Sequence, residues 1–197
     1  MNHYQNAKFL LSVASLDQLP PDEGIEVAII GRSNAGKSSI LNKITQQKDL
    51  ARVSKTPGRT QFINLFTIDK TRRLADLPGY GYARVTDEMK EQWMENIELY
   101  LNTRSCLKGL ILVMDIRHPL QATDQDLLDA SKHFDLPVHV VLNKADKLSN
   151  NQIHQTENQI KRALESYGEH VSFQTFSVLK NVGTEQLRKK LDNWYRF

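Results

Sequence analysis

Three short stretches carry glycine, lysine, hydroxyl and carboxylate groups at spacings that suit a single phosphate-bearing ligand. The first is Gly31-Arg32-Ser33-Asn34-Ala35-Gly36-Lys37-Ser38, which fits Gly-x4-Gly-Lys-Ser/Thr throughout. It lies between an apolar run at 27–30 and a stretch over 38–44 that reads as a helix, the context this pattern requires. Glycines let the backbone wrap a phosphate with its N–H groups, and a helix N-terminus adds partial positive charge. Lys37 then reaches the β- and γ-phosphates, and the Ser38 hydroxyl is a ligand for Mg²⁺. A glycine-rich turn formed by chance is the bland alternative, and the flanking elements argue against it.

The second stretch is Asp76-Leu77-Pro78-Gly79, at the end of a predicted strand. Asp76 can hold the Mg²⁺ shell through a water. The Gly79 N–H can face a γ-phosphate where a side chain would clash. Alone, this pattern also describes an ordinary turn, but after the first motif at this distance it gains weight. The third stretch, Asn143-Lys144-Ala145-Asp146, follows an apolar run at 138–142 and decides the base. A carboxylate accepts two hydrogen bonds from guanine N1–H and the 2-amino group, whereas adenine would leave Asp146 unpaired. Sites built this way discriminate by about 10⁴- to 10⁵-fold. The Lys144 stem can lie along the base plane.

Two weaker segments join these. Ser177 follows the last predicted strand, where a backbone N–H can reach guanine O6; a surface turn is the alternative. Between the first two motifs lies Lys55-Thr56-Pro57-Gly58-Arg59-Thr60-Gln61. One threonine here should reach the γ-phosphate and Mg²⁺. Thr60 is the choice, since Pro57 and Gly58 make Thr56 a turn position. The segment is polar and is expected to order with γ-phosphate.

The elements that must position these groups alternate along the chain. Strands are expected at 27–30, 110–114, 138–142 and 171–176, with a hairpin from 62–68 and 72–76. Helices are expected at 38–44, 87–103, 124–134 with Thr123 as cap, from Ser149 with Gln152 as a capping box, and at the C-terminus. In the 87–103 helix, Met89, Trp93, Ile97, Tyr100 and Leu101 sit at helical spacing. In the last helix Leu187, Leu191 and Trp194 point inward and Arg188, Lys189 and Lys190 mostly outward. Such alternation predicts an α/β fold with a mostly parallel sheet and helices on both faces. All the motifs then fall at the carboxyl ends of strands, where such sheets bind ligands.

Length and composition set the frame. The 197 residues suit one domain, and 40% hydrophobic with 25% charged residues is ordinary globular usage. No stretch approaches the ~18 apolar residues of a membrane span, and the run Phe9-Leu10-Leu11-Ser12-Val13-Ala14 lacks the basic region of a signal peptide. Cys106 is the one cysteine, so no internal disulfide can form, which fits a cytoplasmic location. The net charge of +3 permits nucleic-acid contact without demanding it. Lys70, Arg72 and Arg73 at the hairpin tip, and Arg188, Lys189, Lys190 and Arg196 near the C-terminus, are candidate RNA contacts; solvated surface is the alternative. The six histidines show no metal-ligand spacing.

Taken together the motifs resemble the translation-factor-related, Era-like P-loop GTPases. The words Gly31-Arg32-Ser33-Asn34-Ala35-Gly36-Lys37-Ser38-Ser39, Lys55-Thr56-Pro57-Gly58-Arg59-Thr60-Gln61, Asp76-Leu77-Pro78-Gly79-Tyr80-Gly81-Tyr82-Ala83 and Asp115-Ile116-Arg117-His118-Pro119 are similar to those of the EngB family of bacterial ribosome-biogenesis GTP-binding proteins. That resemblance implies a Ras-like G domain over 25–197 behind a short N-terminal extension, 1–24. It implies GTP and GDP binding with Mg²⁺, slow GTP hydrolysis, and a monomeric switch, without membrane association, acting on assembly of the large ribosomal subunit. An indirect link to cell division is also implied; a division-site GTPase scaffold that does not bind ribosomes is the alternative. Carried onto this sequence, nucleotide contacts fall at Gly31, Arg32, Ser33, Asn34, Ala35, Gly36, Lys37 and Ser38. They continue at Gly58, Arg59, Thr60, Gln61 and Phe62, at Asp76, Leu77, Pro78 and Gly79, at Asn143, Lys144, Ala145 and Asp146, and at Phe176, Ser177 and Val178. Lys37, Thr60 and Gly79 serve the reaction, and Ser38 and Thr60 hold Mg²⁺. Tyr80 stands where a water-orienting glutamine often sits in switch GTPases. Related GTPases with an asparagine at the position of Asn34 can recruit potassium beside the transferred phosphate; the alternative is that Asn34 only braces its own turn. No arginine-rich lid is apparent, which with the guanine-reading loop argues against a phosphotransferase.

Overall fold

The computed structural model describes residues 2–51, 62–81 and 86–197. Among the described residues seven strands form one sheet: β1 (Lys8–Val13), β2 (Ile25–Gly31), β3 (Ile63–Thr67), β4 (Arg72–Asp76), β5 (Leu107–Asp115), β6 (Val138–Asn143) and β7 (Val171–Thr175). Their spatial order is β1-β3-β4-β2-β5-β6-β7. β1, β3 and β4 pair antiparallel, whereas β4, β2, β5, β6 and β7 run parallel. The central strands β2, β5 and β6 are apolar along nearly their whole length because both of their faces are covered.

Five helices supply that cover: α1 (Lys37–Thr45), α2 (Asp87–Thr103), α3 (Ala122–His133), α4 (Asn150–Leu164) and α5 (Thr184–Tyr195). One core layer joins Ala28, Ile30, Leu110, Leu112 and Val140 of the sheet to Ile97 and Tyr100 of α2, Leu127 and Leu128 of α3, and Ile160 of α4. The other joins Val27, Ile29, Ile111, Val113 and Val141 to Ile40 and Ile44 of α1 and to Leu187, Leu191 and Tyr195 of α5. Alternate residues of each strand thus serve opposite layers. β2 lies between β4 and β5, so the chain leaving it turns to one side for β3 and β4 and later to the other for β5. A crevice opens at such a point of reversal, and the loop after β2 stands over it.

The expected parallel sheet with helices on both faces is therefore present, and so are the predicted hairpin and the Ser149–Gln152 capping box. Several details differ. Residues 8–13, within the predicted extension, add β1 to the sheet edge, where Phe9 meets Phe66 edge-on. The α3 cap is Gln121 rather than Thr123, because the Asp124 carboxylate reaches back 2.8 Å to the Gln121 N–H. Met89 faces solvent, being 45% exposed. Arg73 is turned inward onto Glu26, its register partner across β4 and β2. Arg72 caps the carbonyl of Tyr195, and Arg188 is buried with its guanidinium on the Ile44 and Lys43 carbonyls at the end of α1. These three arginines thus serve the fold, and Lys70 and Lys189 are the exposed members of the two predicted basic groups alongside Arg196.

One buried polar group sets a pH response. On β6, His139 Nε2 lies 3.0 Å from Gln174 Oε1 and Nδ1 lies 2.8 Å from the Ser172 hydroxyl. The Gln174 amide nitrogen is committed to the Gly183 carbonyl, so its oxygen faces the ring and Nε2 carries the proton. Burial disfavours the imidazolium and pulls its pKa from 6.5 down to about 4, aided by nearby Lys190 and opposed by the Gln174 bond. The unfolded chain therefore binds the extra proton first. This contribution to stability is intact above pH 6.5 and is lost as pH falls toward 4, at about 1.4 kcal/mol per pH unit. Denaturant unfolding at pH 7.5 and 5.0 should show native protein losing roughly 2 kcal/mol more stability than His139→Gln; equal losses would contradict the assignment.

Candidate nucleotide site

The loop after β2 is shaped for an anion. Gly31 ends the strand against β5, where a Cβ would run into the Val113 carbonyl. Arg32 then bridges to Tyr80, and the Ser33 N–H donates to the Tyr80 carbonyl at 2.7 Å. Asn34 and Gly36 both adopt positive φ, 63° and 103°, on either side of Ala35. This alternation curls successive N–H groups toward one concavity, the geometry of a backbone anion nest. α1 starts at once with Lys37 and Ser38 and has no acidic residue in its first turn, so its positive end is uncompensated. Lys37 folds back over the loop, its Nζ 3.4 Å from the Gly31 carbonyl.

Asp76 and Gly79 meet Lys37 from the neighbouring strand. Asp76 ends β4 as a buried residue, and burial pushes its carboxyl up to about 6 against the pull of Lys37. Burial equally lowers the Lys37 ammonium, against the pull of Asp76. Asp76 Oδ1 has no hydrogen-bond partner among the described residues. A Cβ placed on Gly79 would lie 2.8 Å from Lys37 Nζ, so glycine there leaves the ammonium room. Leu77 and Pro78 are buried beneath, with the Leu77 N–H on the Ile29 carbonyl at 2.9 Å. An orphaned carboxylate oxygen on Asp76 and the Ser38 hydroxyl in the first turn of α1 are oxygen donors of the kind Mg²⁺ takes, so these residues fit that ion.

The candidate base-reading loop, Asn143–Asp146, is tied to the candidate phosphate loop, Gly31–Ser38. Asn143 ends β6, and its Nδ2 donates 2.8 Å to the Ala35 carbonyl. Lys144, at φ 66°, donates 2.6 Å to the Asn34 carbonyl and lies 2.9 Å from Asp115. The Ala145 N–H bonds the Phe176 carbonyl at 3.1 Å, joining this loop to the one after β7. There the buried Ser177 hydroxyl donates to Asp146 Oδ1 at 2.7 Å, the first cause of that carboxyl's depressed pKa. Phe176 is buried and Val178 half-buried behind it.

The structure thus brings Gly31 to Ser38, Asp76 to Gly79, Asn143 to Asp146 and Phe176 to Val178 together at the carboxyl ends of β2, β4, β6 and β7. Gly58, Arg59, Thr60 and Gln61 lie outside the described residues; Phe62, just before β3, is exposed. One residue without a role in the sequence reading joins the site. Asp115 meets Lys144, and its signal was a carboxylate ending an apolar strand beside Asn143 in register. Tyr80 turns away from the phosphate loop: its ring packs on Trp93 with centroids 5.3 Å apart, and its hydroxyl bonds the buried Asp124 carboxylate.

A family model described as 50S ribosome-binding GTPase matches residues 26–144. A Coxiella burnetii protein named "Probable GTP-binding protein EngB" is 51% identical over 193 residues, covering 98% of this chain and 94% of its own. The chain belongs to the EngB family of GTP-binding proteins. A Vibrio parahaemolyticus EngB is 50% identical, covering 98% of this chain and 88% of its own. A crystal structure of an engB protein superposes with TM-score 0.70 at 23% identity, over 87% of this chain and 98% of that one. Era in complex with MgGDPNP and nucleotides of 16S ribosomal RNA superposes with TM-score 0.64 at 22% identity, over 87% of this chain and 57% of that one. Both share the fold. As an EngB-family member the chain is a GTP-binding GTPase.

If Asp146 reads the base, an amide there presents a donor where guanine also donates. Asp146→Asn should lower GDP affinity by about 100-fold or more and favour xanthosine diphosphate, whose 2-oxo group accepts. Unchanged affinities for both nucleotides, by titration calorimetry, would contradict the assignment.

Proposed function

We propose that this chain is a slow GTP-hydrolysing switch in assembly of the large ribosomal subunit. The observation that carries the switch reading is the convergence of Lys37, Asp76 and Gly79. One cation faces both a phosphate cradle and a loop whose glycine N–H would sense a γ-phosphate. In the GTP state the Gly31–Ser38 backbone would hold the β- and γ-phosphates, with Lys37 across them. Ser38 and Thr60 would hold Mg²⁺, with Asp76 in its outer shell. When bound, that ion would neutralise charge on the phosphate oxygens. Asp146 would read guanine N1–H and the 2-amino group, with the Ser177 hydroxyl keeping the carboxylate in place.

Slow hydrolysis follows from Tyr80. Its ring is engaged by Trp93 and Asp124, so it offers no group to orient an attacking water. Potassium beside Asn34 is a further candidate for the missing charge. Asn34 is exposed, and its backbone carbonyl is already taken by Lys144.

The ribosomal partner is supported by the family description and by Era, a fold neighbour named with 16S ribosomal RNA. Among the described residues no helix is long and apolar enough to cross a membrane. A monomer in the cytoplasm, affecting division through ribosome supply, suits this reading. The test is co-sedimentation with large-subunit precursors in a non-hydrolysable GTP analogue or in GDP. Binding should be at least ~10-fold tighter with the analogue and should weaken with salt as phosphate counterions are released. Equal binding in both nucleotides, or none, would overturn the ribosomal switch and leave the division-site scaffold.

A further inference from the structure

The segment Asp115-Ile116-Arg117 lies at the end of β5, where Asp115 stands beside Asn143. Asp115 is the register partner of Asn143, and the Ile116 N–H donates 2.9 Å to the Asn143 carbonyl. The Asp115 carboxylate is gripped by a two-pronged guanidinium. Arg117 Nε donates 2.9 Å to Oδ1 and Nη2 donates 2.7 Å to Oδ2, while the Arg117 N–H adds 3.1 Å to Oδ1. The same Oδ2 lies 2.9 Å from Lys144 Nζ. Lys144 Nζ also donates to the Asn34 carbonyl at 2.6 Å, so the ammonium spans two acceptors on different loops.

We infer that Asp115, oriented by Arg117, is a positioning residue for Lys144 and thereby sets the affinity of the base end of the site. The inference rests on the nucleotide-site reading above. A lysine side chain carries close to the largest rotamer entropy of any residue. Left free, Lys144 would have to be ordered when a nucleotide arrives. Here two acceptors fix its tip beforehand, and the stem between backbone and tip is held as a wall. Pre-ordering of this kind raises affinity by removing a cost from the binding step. Arg117 is needed because a lone carboxylate can swing about its χ angles, whereas a bidentate fork fixes its plane. The Arg117 side chain is 42% exposed. A pair so open to solvent adds little to fold stability, so its effect falls on Lys144.

The test measures GDP and GTP affinity and thermal unfolding for Asp115→Asn, Arg117→Ala, Arg117→Lys, Lys144→Ala and the double variant Asp115→Asn with Lys144→Ala. Asp115→Asn should raise Kd for GDP and GTP by the same factor, about 10-fold. The GTP-to-GDP affinity ratio should stay as in native protein, since the base end is common to both nucleotides. Arg117→Ala should show a smaller loss in the same direction, and Arg117→Lys should not restore it, lacking the fork. The double variant should bind no more weakly than Lys144→Ala alone, because Asp115 acts through that lysine. Native-like GDP affinity in Asp115→Asn would overturn the proposal, as would fully additive losses or losses that track a lowered unfolding temperature. A folded native protein that binds no GDP would instead overturn the site reading beneath it.

Discussion

The hydrogen bond from the Asn143 amide to the Ala35 carbonyl holds the candidate site together. It is 2.8 Å long, buried, and joins residues 108 apart in sequence. Without it the phosphate loop and the base-reading loop would be neighbours at the carboxyl ends of β2 and β6 with no fixed separation. A Cβ on Gly36 would collide with that same amide, so glycine there and asparagine at 143 fit only as a pair. Lys144, Asp115 and the Phe176–Ala145 bond extend the tie to four loops. A nucleotide has rigid dimensions, and loops braced in this way can meet both of its ends at once.

The two ends of β2 show opposite uses of charge. At its start Glu26 is wholly buried and its carboxylate is saturated. Oε1 accepts from Tyr100 and Arg104, and Oε2 from Arg104 and Arg73. The same arginines reach the carbonyls of Pro20, Pro21 and Glu23, locking the incoming chain under the sheet. Every charge there is answered within the protein, which buried ions require. Near the other end, where the neighbouring β4 stops, Asp76 keeps an oxygen without a partner among the described residues, and α1 presents an uncompensated positive terminus. Buried polar groups left unanswered are costly to the fold alone, and they fit a site completed by phosphate and metal.

Much of this was legible in the sequence because the chemistry is local. The Gly31–Ser38 pattern lies within one strand, one loop and one helix start, so spacing alone fixes its shape. Asn143–Asp146 could be placed because it follows an apolar run, and Asp76–Gly79 because it ends the second strand of the predicted hairpin. What escaped was set by distant partners. Arg188 looked like a surface charge on α5 until α1 presented the Ile44 carbonyl, 144 residues earlier. Arg73 looked like a hairpin-tip cation, but strand alternation turns it onto Glu26. β1 was missed because an edge strand exposes most of its residues and shows little periodicity. Tyr80 directly follows Gly79, yet its direction depends on Trp93 and Asp124 from two helices.

The tie at Asn143 would shape the phosphate loop as well as the base pocket. Pyrophosphate with Mg²⁺ carries no base and separates the two effects. Calorimetric titration of native protein and Asn143→Ala with GDP and with pyrophosphate tests the claim directly. Removing the amide leaves the Ala35 carbonyl without its buried donor, so affinity for both ligands should fall by roughly 5- to 150-fold in a variant that remains folded. Pyrophosphate binding equal to that of the native protein, alongside weakened GDP binding, would contradict the claim and confine Asn143 to the base.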